Sequence, residues 1–270
     1  MSVSPTRYGN TLCYDFVFID LINSRVKVGL FVTCLVDMVR PRVGFAALEL
    51  LESVGYEVYV PTTQTCCGQP GYNSGDVASG RQLALKFLNE FEGCDYVVAP
   101  SGSCTGMIRT HYPVIFKDDA VLREKLIKLT EKTYELTDFL VNIAKINQLK
   151  SNFKGNVTYH DSCSGLRELG IKIQPRALLA QCGIDVKEMV DAEVCCGFGG
   201  TFSVKLGDIS TRMADNKCTN IHATGAEAIV GGDLGCLLSI EGRLRRTGDS
   251  KTQVLHIAEI LATHTGKHSQ

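Results

Sequence analysis

The chain has 270 residues, of which 44% are hydrophobic and 21% are charged, and its formal net charge is -1. This composition is typical of a folded protein with enough apolar residues for a core. The near-neutral charge gives no electrostatic argument for binding nucleic acid or an anionic membrane surface. Polar residues interrupt the apolar stretch at 16–36, so neither a signal peptide nor a membrane span is expected there. We therefore expect a cytoplasmic protein that is not an integral membrane protein.

Strands and helices are predicted to alternate through the first half of the chain. Residues 1–24 match nothing in the second half and are interpreted as an N-terminal extension, partly ordered at 14–22. Beyond it, apolar runs that end at turn signals predict strands, and apolar residues at helical spacing predict helices. The predicted elements are a strand at 26–33, a helix at 43–54, a strand at 57–60, a helix at 76–91 and a strand at 96–99.

The second half repeats this order after a linker that contains a predicted helix at 136–146. Its predicted elements are a strand at 157–160, a helix at 175–182, a strand at 185–189, a helix at 209–219 and a strand at 228–230. Such alternation predicts βαβ units, which have parallel strands and right-handed crossovers. We expect an α/β fold of two pseudo-symmetric repeats, one at 25–150 and one at 151–270.

Two groups of four cysteines recur at matching spacing. A Cys-Cys-Gly triplet occurs at 66–68 and again at 195–197, and a lone cysteine precedes each triplet by 32 positions. The halves are offset by 129 residues both at this lone cysteine and at the triplet, which indicates a duplication. The first cysteine set is Cys34, Cys66, Cys67 and Cys104, and the second cysteine set is Cys163, Cys195, Cys196 and Cys236.

Both cysteine sets are predicted to follow the carboxyl ends of strands, the edge where ligands bind in open α/β sheets. Persistent disulfides are rare in the cytoplasm, so metal binding or redox chemistry accounts better for these thiols. Four thiolates can hold zinc, a [2Fe-2S] cluster or a [4Fe-4S] cluster. The chain has no Cys-x-x-Cys knuckle, and adjacent cysteines suit the separate irons of a cluster better than one tetrahedral ion. We predict that all eight cysteines are metal ligands.

The other cysteines and two histidines are interpreted as structural. Cys13, Cys94, Cys182 and Cys218 have no counterpart at the repeat offset, and free cysteines are commonly buried. We expect His160 and His256 to be hydrogen-bonded near strand ends, with a role as a proton shuttle as the alternative. Phe31 occupies the place of His160 in the first half.

Four polar residues close to the cysteine motifs are interpreted as hydrogen-bonding neighbours of a site or as surface charges. Binding of a substrate carboxylate by one of them, Arg167, is a further hypothesis. The four residues are Asn73, Arg109, Arg167 and Lys205.

Several longer segments resemble the cysteine-rich CCG-domain proteins. That family includes one of the subunits of heterodisulfide reductase and the iron-sulfur subunit of glycolate oxidase, and the chain is most similar to its lactate-utilisation members. The resemblance covers nearly everything from 28 to 262 and leaves residues 1–24 outside. The matching segments are 30–37, 66–70, 72–75, 100–104, 134–139, 195–205 and 255–259.

The resemblance implies an iron-sulfur redox subunit in the cytoplasmic oxidation of L-lactate to pyruvate. Its implied partners are a LutB-like ferredoxin-type iron-sulfur subunit and a third, LutC-like subunit. In heterodisulfide reductase each full motif ends in Cys-x-x-Cys, whereas Met107 and Ser239 stand at the last position here. One ordinary or site-differentiated [4Fe-4S] cluster per half is therefore implied. Two alternatives stay open, a thiol or disulfide reductase subunit like heterodisulfide reductase, and a non-enzymatic assembly module stabilised by zinc.

Overall fold

The computed structural model describes residues 26–263, and the predicted N-terminal extension with its partly ordered segment lies outside them. Two fully parallel sheets form within the described residues. The first has the order β2-β1-β3-β4, with β1 Lys27–Leu30, β2 Glu57–Tyr59, β3 Tyr96–Ala99 and β4 Thr133–Glu135. The second has the order β5-β6-β7, with β5 Val157–His160, β6 Ala228–Gly231 and β7 Gln253–His256. The predicted α/β fold with parallel strands is confirmed.

Helices connect the strands of both sheets. Those of the first half are α1 Cys34–Val39, α2 Arg42–Ser53, α3 Gln69–Asn73, α4 Val77–Phe91, α5 Gly102–Gly106, the π-helical turn π1 Met107–His111, α6 Tyr112–Ile115, α7 Ala120–Glu131, α8 Leu136–Asp138 and the π-helical turn π2 Phe139–Ile143. Those of the second half are α9 Cys163–Arg167, α10 Ile173–Gln181, α11 Thr201–Lys205, α12 Gly207–Thr224, α13 Leu234–Arg246 and α14 Ile257–Leu261.

Helix α4 shows how local sequence defines an element. The carboxylate of Asp76 accepts a hydrogen bond from the backbone N–H of Ser79 at 3.0 Å and so satisfies one of the free donors at the helix start. Ala84, Phe87, Leu88 and Phe91 are buried at helical spacing, which places one apolar face of the helix against the sheet. The predicted helix at 76–91 is confirmed to within one residue.

The hydrophobic core joins the two sheets. One cluster of buried side chains includes Val98 of β3 and Val157 of β5, together with Leu178 of α10. A second cluster lies within the first half, where the Phe31 ring packs against Phe87 and Phe91 of α4. Most residues of β1, β3 and β6 are buried, so these strands appear in the sequence as short, continuous apolar runs.

Several predicted elements differ from the structure. The helix predicted at 209–219 is longer and spans Gly207–Thr224. The strand predicted at 26–33 ends at Leu30, because the N–H of Val32 donates to the Gln64 side chain at 2.8 Å and Thr33 turns the chain at a φ of 73°. The strand predicted at 185–189 is wrong: only Val186 pairs, in a single bridge to Val157, before the chain turns at Asp191 with a φ of 57°. The helix predicted at 136–146 consists of α8 followed by π2 and ends at Ile143.

A cavity lined by both cysteine sets

All eight cysteines of the two sets line one cavity of about 320 Å³. The cavity lies at the carboxyl ends of the strands. Cys34 and Cys163 are the first residues of α1 and α9, which follow β1 and β5, while Cys104 and Cys236 lie in the first turns of α5 and α13, which follow β3 and β6. The two Cys-Cys-Gly triplets lie in the loops that precede α3 and α11. Thiols more than a hundred residues apart in the chain therefore face one another.

Within each set the thiols form a chain of hydrogen-bonding contacts. In the first set it runs from Cys34 to Cys66, to Cys67 and to Cys104. The second set repeats this order from Cys163 to Cys195, to Cys196 and to Cys236. The structure thus brings together the four members of each predicted set, in the same order in both halves.

These contacts lower the pKa of some thiols and raise the pKa of their neighbours. Hydrogen bonds from the thiols of Cys34 and then Cys67 hold the pKa of Cys66 well below its ordinary value. The same contact, together with burial, raises the pKa of Cys34. In the second set, contacts with Cys163 and then Cys196 lower the pKa of Cys195 in the same way. The first cysteine of each triplet is therefore the favoured thiolate, and the neighbours with a raised pKa would release protons when a metal binds; these are Cys34, Cys67, Cys163 and Cys196.

The glycine of each triplet places a backbone donor against a thiol. Gly68 has a φ of 86° and Gly197 a φ of 87°, in the left-handed region that favours glycine. In this conformation the N–H of Gly68 donates to Sγ of Cys66 at 3.3 Å, and the N–H of Gly197 donates to Sγ of Cys195 at 3.3 Å. Both contacts favour the thiolate of the first cysteine in the triplet, since a hydrogen bond to the charged form stabilises it.

Helix caps connect the two halves beside the cavity. The Ser101 side chain accepts from the N–H of Cys104 at 3.2 Å at the start of α5, and Asp233 accepts from the N–H of Gly235 at 3.2 Å at the start of α13. The other Asp233 oxygen accepts from the N–H of Ser103 at 2.8 Å, across the two halves. One carboxylate therefore fixes the helix starts that carry Cys104 and Cys236.

His160 lies beside the second cysteine set. It is 1% exposed, and neither ring nitrogen has a hydrogen-bond partner. A ring nitrogen and the Sγ atoms of Cys196 and Cys236 lie within 4.8 Å of one another. Burial, and then the charge of Lys217, lower the pKa of His160 to about 3, so the ring is neutral near pH 7. The ring therefore lacks a hydrogen bond of ordinary geometry, although the Ala192 backbone lies close to it, and a hydrogen-bonded structural role for His160 stays a prediction.

His256 fits the expectation of a hydrogen-bonded structural histidine. Its Nδ1 accepts from the N–H of Ala258 at 3.2 Å, its other ring nitrogen lies 3.1 Å from the carbonyl oxygen of Pro100, and the residue caps α14. Burial lowers its pKa to about 4. Both ring nitrogens are occupied in structural contacts, so the geometry leaves neither of them to shuttle a proton.

The remaining polar candidates differ in their distance from the site. Asn73 lines the cavity, whereas Arg109, Arg167 and Lys205 do not. Arg109 lies over the ring of Tyr134, with 5.7 Å between its guanidinium carbon and the ring centroid. The charge of Arg167 is close enough to Cys163 to favour its thiolate. The hypothesis that Arg167 binds a substrate carboxylate stays a prediction.

The cysteines outside the two sets lie away from the cavity. Cys94 and Cys218 are 3% and 4% exposed, and Cys182 is half-buried. Burial raises the pKa of all three, to about 11 for Cys218, and favours the neutral thiol. Cys13 lies outside the described residues. For the three described cysteines the structural interpretation agrees with their surroundings.

Sequence reasoning missed Ser101, Ser103 and Asp233, which line the cavity. Ser101 and Asp233 cap helices there, and the N–H of Ser103 donates to Asp233. A signal for two of them was present, because Ser101 and Asp233 each stand three residues before the last cysteine of a set, at the start of a helix. Serine and aspartate are preferred at the position before a helix. The contact between Ser103 and Asp233 spans 130 residues and had no local signal.

Comparison with known proteins agrees with this geometry. Residues 28–109 and 157–241 match the family model described as a cysteine-rich domain, CCG. The chain therefore belongs to the class of proteins with two cysteine-rich CCG domains. The matched ranges fall inside the two predicted halves, whose boundaries stay a prediction.

Similar curated proteins narrow the family. The chain is 46% identical over 243 residues to "Lactate utilization protein A 2" of Bacillus cereus strain AH820, covering 90% of this chain and all of that protein. It is 47% identical over 237 residues to "Lactate utilization protein A" of Bacillus cytotoxicus, covering 87% of this chain and 98% of that protein. The chain belongs to the lactate utilization protein A family.

One solved structure shows the same fold. The crystal structure of a hypothetical protein from Helicobacter pylori matches with a TM-score of 0.64, at 11% sequence identity, over 87% of this chain and 48% of that one. This likeness concerns the fold alone. Within residues 26–263, no helix is both long and apolar enough to span a membrane.

Proposed function

We propose that this chain is an iron-sulfur redox subunit that takes part in the oxidation of L-lactate to pyruvate in the cytoplasm. The observation that carries the proposal is the convergence of eight thiols, as two chains of four, on one cavity. The names of the similar proteins support lactate as the substrate of the system. Each cysteine set would hold one [4Fe-4S] cluster.

The donor chemistry fits a cluster better than a single ion. Four ligands of one tetrahedral zinc ion crowd around it, with metal–sulfur distances of about 2.3 Å. Among the described residues, the one group of three or more ligand atoms within 4.8 Å of one another consists of His160, Cys196 and Cys236. Neither set of four thiols is drawn together as tightly as one ion requires. The irons of a cluster lie several Å apart, so the thiols of one set would not have to converge on a single point.

When bound, such clusters supply one-electron redox chemistry. The chain itself contributes the thiolates, the N–H donors of Gly68 and Gly197, and helix starts that favour negative charge. The shared cavity keeps both sites close enough to act together, which suits an oxidation that moves two electrons.

The alternative of a heterodisulfide-reductase-like subunit has weaker support. Met107 stands where that relative has a further cysteine, and it is fully buried in the core instead of lining the cavity. Ser239 is also absent from the cavity wall. The ferredoxin-type and LutC-like partners that the resemblance implies remain part of our proposal.

Anaerobic purification with iron analysis and EPR tests the proposal. We expect brown protein with absorption near ~400 nm and about eight irons per chain if both sites hold cubane clusters. Cys67→Ser and Cys196→Ser should each remove about half of the iron, because each breaks one set. Cys94→Ser is the matched control, since Cys94 is buried outside the cavity, and it should keep the full iron content.

Two results would contradict the proposal. Colourless protein that holds stoichiometric zinc and no iron, even after anaerobic reconstitution, would favour the zinc-stabilised assembly module. The chain could also hold its full iron content while L-lactate, in the presence of the partner subunits, fails to reduce the clusters. That result would keep the metal sites and reject the role in lactate oxidation.

A further inference from the structure

The two cysteine sets share their thiols and backbone donors but differ at one buried position. His160, at the end of β5, corresponds to Phe31 in the first half at the same offset of 129 residues that relates the cysteines. The Phe31 ring packs edge-on against Phe87 and Phe91, with centroids 5.2 and 6.0 Å apart. It brings no polar atom to the first site, whereas His160 brings two ring nitrogens to the second.

The polar groups near His160 also have partners of their own. The backbone of Ala192 lies close enough to the ring to favour its protonated form, and its carbonyl also accepts from Nζ of Lys217 at 3.3 Å. The carboxylate of Asp161 accepts from two nitrogens of Arg176, each at 2.9 Å. A buried polar group without a partner costs stability, so the ring requires an acceptor. The Sγ atoms of Cys196 and Cys236 lie within 4.8 Å of a ring nitrogen and are candidate acceptors beside the Ala192 backbone.

We propose that His160 donates a ring N–H to a ligand sulfur of the second cysteine set, and that this hydrogen bond makes the second cluster easier to reduce than the first. The inference rests on the proposed iron-sulfur function and deepens it. Hydrogen bonds to cluster sulfurs stabilise the more negative, reduced form and raise the reduction potential. The N–H groups of Gly68 and Gly197 act equally on both sites, so they create no difference between them.

Lys217 is the other group that distinguishes the second site. It is 2% exposed, and its Nζ donates to the carbonyls of Asp191 and Ala192 at 2.6 and 3.3 Å. Its positive charge acts on the second set in the same direction as the proposed hydrogen bond. Variants of His160 alone therefore separate the hydrogen bond from the charge, since Lys217 stays in place.

The test is an EPR-monitored redox titration of the anaerobically reconstituted full-length chain. Wild type should show two reduction waves, and the second-site wave, isolated in a Cys67→Ser background, should be the more positive. His160→Phe copies the first half and should move this wave to lower potential without moving the first-site wave, isolated in Cys196→Ser. His160→Gln retains an N–H donor and should restore much of the difference.

Pulsed EPR provides a readout that does not depend on whether the His160 variants fold. In reduced Cys67→Ser protein labelled with ¹⁵N-histidine, we expect a weak ¹⁵N coupling, as for a hydrogen bond, and an exchangeable proton near the cluster. No coupling, or the strong coupling of a directly ligated nitrogen, would overturn the inference.

Other outcomes separate this inference from the proposed function. Full iron with unmoved potentials in His160→Phe would overturn the inference and leave the proposed function standing. If His160→Phe and His160→Gln lowered the reduction potential of the second site equally, the N–H of His160 would have no role, and the residue would act only through packing. A chain that assembles no iron after reconstitution would overturn both.

Discussion

The N–H of Gly197 donates to Sγ of Cys195 at 3.3 Å, and the first half repeats this contact at the same distance between Gly68 and Cys66. The glycine conformations also agree, with φ values of 87° and 86°. Two loops in separate halves of the chain therefore present a thiol and a backbone donor in the same way. This local geometry explains why a glycine follows each cysteine pair.

Replacing the triplet glycines by alanine should destabilise the chain to different degrees. A left-handed backbone costs about 1–2 kcal/mol for a residue with a side chain. At Gly197 an added Cβ would also lie 2.6 Å from the carbonyl oxygen of Ser210, whereas at Gly68 the nearest atom is a flexible Leu83 carbon at 3.3 Å. Chemical unfolding of the metal-free chain should therefore show a larger loss for Gly197→Ala than for Gly68→Ala.

Gly75→Ala is the matched control for these substitutions. Gly75 has a φ of 90° and nothing within 4 Å of the added Cβ, so it reports the backbone cost alone. If Gly197→Ala lost no more stability than Gly75→Ala, close packing against Ser210 would have no part in holding the triplet.

The first cysteine of each triplet should stay reactive at mildly acidic pH in the metal-free chain. Contacts with neighbouring thiols hold the pKa of Cys66 and Cys195 well below the ordinary value, so both remain thiolates as pH falls. Alkylation by iodoacetamide, followed site by site with mass spectrometry, should slow only slightly between pH 8 and 6.

Cys182 provides the comparison, because it is also half-buried but lies outside both sets, and burial raises its pKa. The thiolate fraction of such a group falls by about tenfold for each pH unit below the pKa. Equal slowing of Cys66, Cys195 and Cys182 would contradict the thiol contacts in the structure.

Removing the charge of Arg176 should strongly destabilise the second half. Two of its nitrogens lie 2.9 Å from the two oxygens of Asp161, whose side chain is 1% exposed. Arg176→Met would leave this carboxylate buried without its partner, a change that costs about 3–5 kcal/mol. Thermal or chemical unfolding measures the loss.

Lys128→Met is the control for that substitution. The pair of Lys128 with Glu124 at 2.8 Å is an exposed contact within one helix, and such pairs contribute little. A loss for Arg176→Met as small as that for Lys128→Met would show that water reaches Asp161 in the folded chain.

Glu135 should make stability depend on pH. Burial raises its pKa from 4.5 to about 7, although hydrogen bonds from Thr137 and Asp138 act in the opposite direction. The folded chain then holds a proton that the unfolded chain has already lost, so its contribution to stability is full below pH 4.5 and declines as pH rises towards 7. The decline amounts to about 3 kcal/mol, since one pKa unit corresponds to about 1.4 kcal/mol.

Glu135→Gln carries no titrating proton and should lack this decline. The difference in unfolding free energy between Glu135→Gln and wild type should therefore shift in favour of the variant from pH 4.5 to 7. A difference that stays constant across this range would mean that Glu135 has an ordinary pKa in the folded chain.

The sequence alone determined the features that depend on local pattern. The strand at 96–99 and the strand at 157–160 were predicted with their bounds, because short apolar runs between turn signals are local. The grouping of eight cysteines also came from spacing, and the structure brings each group together. The pattern at 185–189 was weak, since Asp185, Lys187 and Glu188 are of types depleted in strands, and only Val186 reaches a pairing position.

Tertiary structure decided how the two halves meet. Spacing indicated two sites, but only the packing of the two sheets places both sets on one cavity and brings Asp233 to Ser103 across 130 residues. The surroundings of His160 were decided in the same way, since its neighbours Cys196 and Cys236 are distant in sequence. Periodicity and spacing in the sequence indicate which secondary structure a segment prefers by itself. The partners of a buried polar group depend instead on which distant segments pack against it in the folded chain.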